Sequence, residues 1–109
     1  MQGHGAIVQQ LLDNGADINL ATLDGDTPLH SAALRGNGPI VQQLLDNGAD
    51  LNLASMHAET PLHIASQRGH KAVVQILLDK GADVHAMTRS GKTPEALARE
   101  QGRLLQIKP

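Results

Sequence analysis

The sequence predicts an all-α chain assembled from a repeated unit of two short helices and a loop, and three observations carry that prediction. Thr-Pro-Leu-His stands at 27–30 and again at 60–63, with Thr-Pro-Glu-Ala at 93–96, so the spacing is 33 residues both times. Gly-Ala-Asp falls at 15–17, 48–50 and 81–83 with the same period. The eleven residues IVQQLLDNGAD at 7–17 recur unchanged at 40–50, and VVQILLDKGAD at 73–83 is a close variant. Self-similarity at a fixed period of a few tens of residues marks a repeat architecture. An unchanged eleven-residue copy fits a recent duplication and a consensus-style engineered array equally.

The period divides the chain into a partial first unit at 1–20, full units at 21–53 and 54–86, and a last unit at 87–109. The first unit opens at its second helix, since Gly3 aligns with Gly36 and Gly69 and no Thr-Pro start precedes it. Ile7 and Leu11 on that helix therefore lack a neighbour that their counterparts have. In the second unit Thr27 is the expected N-cap, with Pro28 at the first helical position, where its missing N–H costs nothing. His30 falls three residues on, in the place where a capping-box side chain reaches back toward the N-cap. Ala32 and Ala33 are small enough for close helix approach, and Gly36 ends the helix in a left-handed conformation. A second helix is expected near 38–46, where Ile40, Val41, Leu44 and Leu45 form one apolar stripe. Gln43, like Gln10, should reach only the edge of the core, because Ile76 occupies the same slot in the next unit. From Ala49 to Glu59 no helical period remains, and a loop carries the chain to the next start at Thr60, Pro61 and His63.

The last unit starts at Thr93 and Pro94 but changes character. Glu95 replaces the leucine of Leu29 and Leu62, while Arg99 and Glu100 stand where Ala33 and Leu34 stand. Polar residues on the stacking side are what a terminal capping unit needs. The closing RLLQIKP stops short of a full second helix. No helix exceeds about ten residues, so each depends on its neighbours for stability.

Composition narrows the chemistry. The 109 residues include no Phe, Tyr, Trp or Cys. There is accordingly no disulfide, thiolate nucleophile or cysteine-based zinc site, which fits an intracellular protein, cytoplasmic or nuclear. No apolar run reaches membrane-spanning length and no signal-peptide core follows Met1, so neither membrane insertion nor secretion is expected. The net charge is −2, divided as −6 over residues 1–66 and +4 over 67–109. That division reads either as ordinary variation of a solvated surface or as an electrically polar rod.

TPLHSA at 27–32, TPLHIA at 60–65 and the degenerate TPEALA at 93–98 make the chain resemble the ankyrin repeat over essentially its whole length. The resemblance implies antiparallel helix pairs stacked in a slightly curved solenoid, with β-hairpin-like loops projecting at about a right angle. It also implies a protein-binding module that uses loop tips and first helices. Its variable positions fall on Leu23, Asp24 and Asp26, on Met56, His57 and Glu59, and on Arg89, Ser90 and Lys92. The helix ends add Leu34, Arg35, Gln67 and Arg68. Leu23 and Met56 either face a partner or pack on the neighbouring loop. One departure lies in the middle tip, where His57-Ala58 replaces Asp24-Gly25 and Ser90-Gly91. If the glycines take positive φ, Ala58 must accept it or the loop must rearrange.

Other chemistries find no support in the spacing. Six histidines suggest metal, but His30 and His63 belong to the helix-start motif, His4 and His70 to equivalent turns, and His57 and His85 to non-equivalent loop positions. The Asp24-Gly25-Asp26 triplet lacks the later ligands of a calcium loop. No phosphate-binding glycine motif or nucleophile elbow occurs, and no serine has a base implied by spacing. We therefore expect no catalytic activity, no cofactor and no metal. A mildly acidic chain without aromatics is disfavoured for nucleic acid. The expected function is capture of a protein partner. The alternative is a structural or engineered scaffold that self-associates through the open amino-terminal face at Ile7 and Leu11.

Overall fold

A computed structural model describes residues 4–102, apart from the side chains of His4 and Ile7. The predicted roles of Gly3 and of the final RLLQIKP lie outside the described residues. The described chain is helical, with α1 at His4–Asp13, α2 at Pro28–Arg35, α3 at Gly38–Asp46, α4 at Pro61–Arg68, α5 at Lys71–Asp79 and α6 at Pro94–Glu100. Among these residues no strand occurs, and no helix is long and apolar enough to cross a membrane.

The helices pack in two layers. α2, α4 and α6 contact one another in sequence, as do α1, α3 and α5, and the pairs α2–α3 and α4–α5 join the layers. Leu29, Leu62, Leu77, Val41 and Val73 are almost wholly buried between them, as are Ala33 and Ala65. Leu97 and Ala98 of α6 are buried as well, while Glu95 and Arg99 form an ion pair at 2.7 Å on the helix surface. Gln43 is half-buried, donating from Nε2 to the Gly5 carbonyl at 2.6 Å, whereas Gln10 is exposed.

The helix starts follow the expected capping chemistry and add a bond across the stack. Thr27 and Thr60 cap α2 and α4 in reciprocal boxes with His30 and His63. Thr93 caps α6 alone, because Ala96 has no side chain to return the bond. The Thr27 N–H donates to His30 Nδ1 at 3.1 Å, and His30 Nε2 lies 2.8 Å from the Glu59 carbonyl. A carbonyl only accepts, so Nε2 carries the proton and Nδ1 is free to accept. His63 repeats the arrangement with the Thr60 N–H and the Lys92 carbonyl, at 3.1 and 3.0 Å. A glutamate or glutamine could close the box but has no second nitrogen directed at the following loop.

Two further features tie neighbouring segments. Asn19 Oδ1 accepts from the Asp50 N–H at 2.9 Å, and Asn52 Oδ1 accepts from the Asp83 N–H at 3.1 Å. Each asparagine N–H is itself held by the aspartate two residues before it. His70, expected as a simple turn residue, donates from Nε2 to the Leu34 carbonyl at 3.0 Å, near the end of α2. Its ring lies so near Gly36 that a Cβ there would sit 2.6 Å from Nδ1, and Gly36 also has φ of +71°. Glycine is required at that position twice over.

Two stability effects follow. Ser66 is completely buried and its hydroxyl has no hydrogen-bond partner, so Ser66→Ala should stabilise the protein by about 1–2 kcal/mol in urea titration. Asn52→Ala removes the acceptor of the Asp83 N–H and should cost about 1 kcal/mol in the same measurement.

Candidate partner-binding surface

The three loops before α2, α4 and α6 are built alike. The Thr22 N–H donates to the Asp26 carbonyl, Ser55 to Glu59, and Thr88 to Lys92, at 2.8–2.9 Å. Inside each closure, Gly25 donates to Thr22, Ala58 to Ser55, and Gly91 to Thr88, again at 2.8–2.9 Å. The middle loop therefore keeps the common turn. Ala58 accepts φ of +60° without rearrangement, at a cost of roughly 1–2 kcal/mol for a left-handed non-glycine residue.

Adjacent tips are joined through their backbones. Met56 N–H donates to the Asp24 carbonyl at 2.8 Å and Arg89 N–H to the His57 carbonyl at 3.1 Å. The first junction is tight, since a Cβ on Gly25 would lie 3.0 Å from Met56 N. The tips thus form one row held at fixed spacing.

Behind the row lie two adjoining depressions. The first, about 200 Å³, is lined by Asp26, His30, Ser31, Leu34, Glu59, Ile64, Gln67 and Arg68. The second, about 350 Å³, is lined by His57, Glu59, Gln67, Thr88, Arg89, Ser90, Lys92, Leu97 and Glu100. Glu59 and Gln67 belong to both, which makes them one groove. The expected residues Asp26, Leu34, Glu59, Gln67 and Arg68 meet in its first half, and His57, Arg89, Ser90 and Lys92 in its second. Leu23, Asp24 and Met56 line neither half. Leu23 is fully exposed, at 102 % of its reference area, and so does not pack on the neighbouring loop. Met56 and Leu34 are also exposed.

Arg35 does not join this surface. It lines a separate apolar depression of about 270 Å³ beside α1. Ser31 and Ile64 in the groove escaped sequence reasoning, although helical spacing to Leu34 and Gln67 carried the signal. Lys92 is engaged by Glu100 across the second half of the groove. Both ring nitrogens of His30 and His63 are committed to backbone groups, so neither imidazole is available as a base. Among the described residues, no three His, Cys, Asp or Glu side chains converge on a metal-sized site.

A family model described as ankyrin repeats, in three copies, matches residues 1–88. No curated protein matches the chain.

The buried imidazole of His63 predicts a response to acid. Burial lowers the affinity of His63 for a proton below the ordinary histidine value of 6.5, with the Lys92 carbonyl and nearby carboxylates opposing it in part. The unfolded chain therefore takes the proton first. The stability owed to neutral His63 is complete above about pH 6.5 and is lost as pH falls through the lower folded-state value. Urea midpoints compared between pH 7.5 and 5.5 should fall more steeply for the native protein than for His63→Gln. Equal slopes would contradict the assignment.

Proposed function

Since the chain belongs to the ankyrin-repeat family, we propose that it is a non-catalytic module that captures a protein partner along the loop-tip row and the groove behind it. Ankyrin repeats are generally protein-interaction modules and typically carry no enzymatic activity. The observation that carries the reading is the continuity of the groove from Asp26 to Glu100, with exposed Leu23, Leu34 and Met56 among charged neighbours. Apolar anchors surrounded by a polar rim are the usual anatomy of a binding patch. In this reading the repeats run 21–53 and 54–86, with a partial repeat at 1–20 and a capping repeat at 87–109. The two-layer order of the helices supports a solenoid, in which the groove runs from the unit at 21–53 to the unit at 87–109. Asp24, His57, Gln67, Arg68, Arg89, Ser90 and Lys92 form the selective rim.

The test is affinity capture with the immobilised chain, scored against a variant carrying Leu23→Asp, Leu34→Asp and Met56→Asp. Proteins enriched by the native chain should be lost by at least about thirtyfold, the effect of removing a binding hot spot. Circular dichroism and the thermal midpoint should stay close to native, because all three side chains are exposed. Equal retention by the variant would remove this surface from consideration.

A further inference from the structure

The carboxylates of the chain divide by what holds them. Eleven residues are acidic. Asp13, Asp46 and Asp79 each accept from a glutamine four residues earlier, at 2.7–2.9 Å. Asp17, Asp50 and Asp83 each accept the backbone N–H two residues on, at 2.9–3.0 Å. Glu95 and Glu100 pair with Arg99 and Lys92. Asp24, Asp26 and Glu59 remain, and all three stand in the tip loops. Their backbone groups are bonded, but among the described residues their carboxylates meet no donor.

Asp26 and Glu59 are half-buried and line the first half of the groove together. Both walls of this half come from the units at 21–53 and 54–86, which are described throughout. A carboxylate that has given up part of its hydration without gaining a partner favours an arriving cation. Leu34 and Ile64 line the same depression and offer apolar surface to a methylene stem. Arg68 lines it too, exposed and in no ion pair among the described residues. The volume of about 200 Å³ falls below the roughly 300–1,000 Å³ of small-molecule sites, which suits one side chain of a larger partner. In the second half, Lys92 is already engaged by Glu100.

Taking the groove as the capturing surface of the proposed function, we propose that its first half receives a long basic side chain, arginine or lysine, from an extended segment of the partner. Its charged head donates to the carboxylates of Asp26 and Glu59, while its stem lies along Leu34 and Ile64. Arg68 meets a carboxylate of the same segment, so the recognised segment carries neighbouring charges of both signs. A wholly acidic segment is rejected by Asp26 and Glu59, and a wholly basic one is disfavoured by Arg68.

A displayed library of random linear peptides, selected on the immobilised full chain, tests this. Enriched sequences should share an arginine or lysine with an aspartate or glutamate close to it. A synthetic peptide of that sequence should bind Asp26→Lys or Glu59→Lys at least about tenfold more weakly, by titration calorimetry. Replacing the basic residue of the peptide by glutamate should abolish binding to the native chain and restore it to the double variant. Neither carboxylate holds another part of the protein, so thermal midpoints should stay close to native. No enrichment, enriched sequences without a basic residue, or an affinity indifferent to both reversals would each overturn the proposal. Proteins lost by the Leu23, Leu34 and Met56 variant but retained by the double variant would keep the capturing surface and overturn this ligand alone.

Discussion

The structure depends most on a buried imidazole that serves two segments at once. His30 closes the cap of its own helix through Nδ1 and holds the following loop through Nε2, and His63 does the same one period later. Both bonds require the neutral ring with its proton on Nε2. A protonated ring would present a donor where the threonine N–H already points. Helix start and inter-segment docking are thereby coupled, so neither forms in its final geometry without the other. Helices of 7–10 residues need that coupling, because their own backbone bonds do not hold them in water.

The polar bonds set spacing and the aliphatic core supplies cohesion. Leucine, valine and alanine fill the space between layers with little directional preference. Register comes instead from the imidazoles, from the bonds of Asn19 and Asn52, and from backbone bonds between tips. The last bond of each series marks where the pattern changes. His85 stands where Asn19 and Asn52 stand, and Ala96 where His30 and His63 stand. The described chain ends beyond these two positions in a helix whose outer residues are charged.

The same registration shapes the proposed binding surface. Because adjacent tips are joined backbone to backbone, side chains one period apart stand next to each other along the row. Glu59 and Gln67 consequently line both halves of the groove. In the proposed function, selectivity resides in individual side chains on a fixed frame, since one fold can carry unrelated functions.

The sequence by itself determined the element order, the helix boundaries near 38–46, the threonine caps and the left-handed glycines, because these depend on bonds within a few residues. It also determined the family, through motifs repeated at one period. Only the tertiary structure decided the second bond of each histidine, the asparagine links and the place of His70, since their partners lie about 30 or more residues away. It also separated Arg35 from Arg68, which occupy equivalent positions in their repeats yet line different depressions. Leu11, 55 % exposed, and Leu44, 2 % exposed, state the reason most simply. Identical local sequence gives identical local structure, but exposure belongs to the neighbours, and neighbours are assigned by the fold.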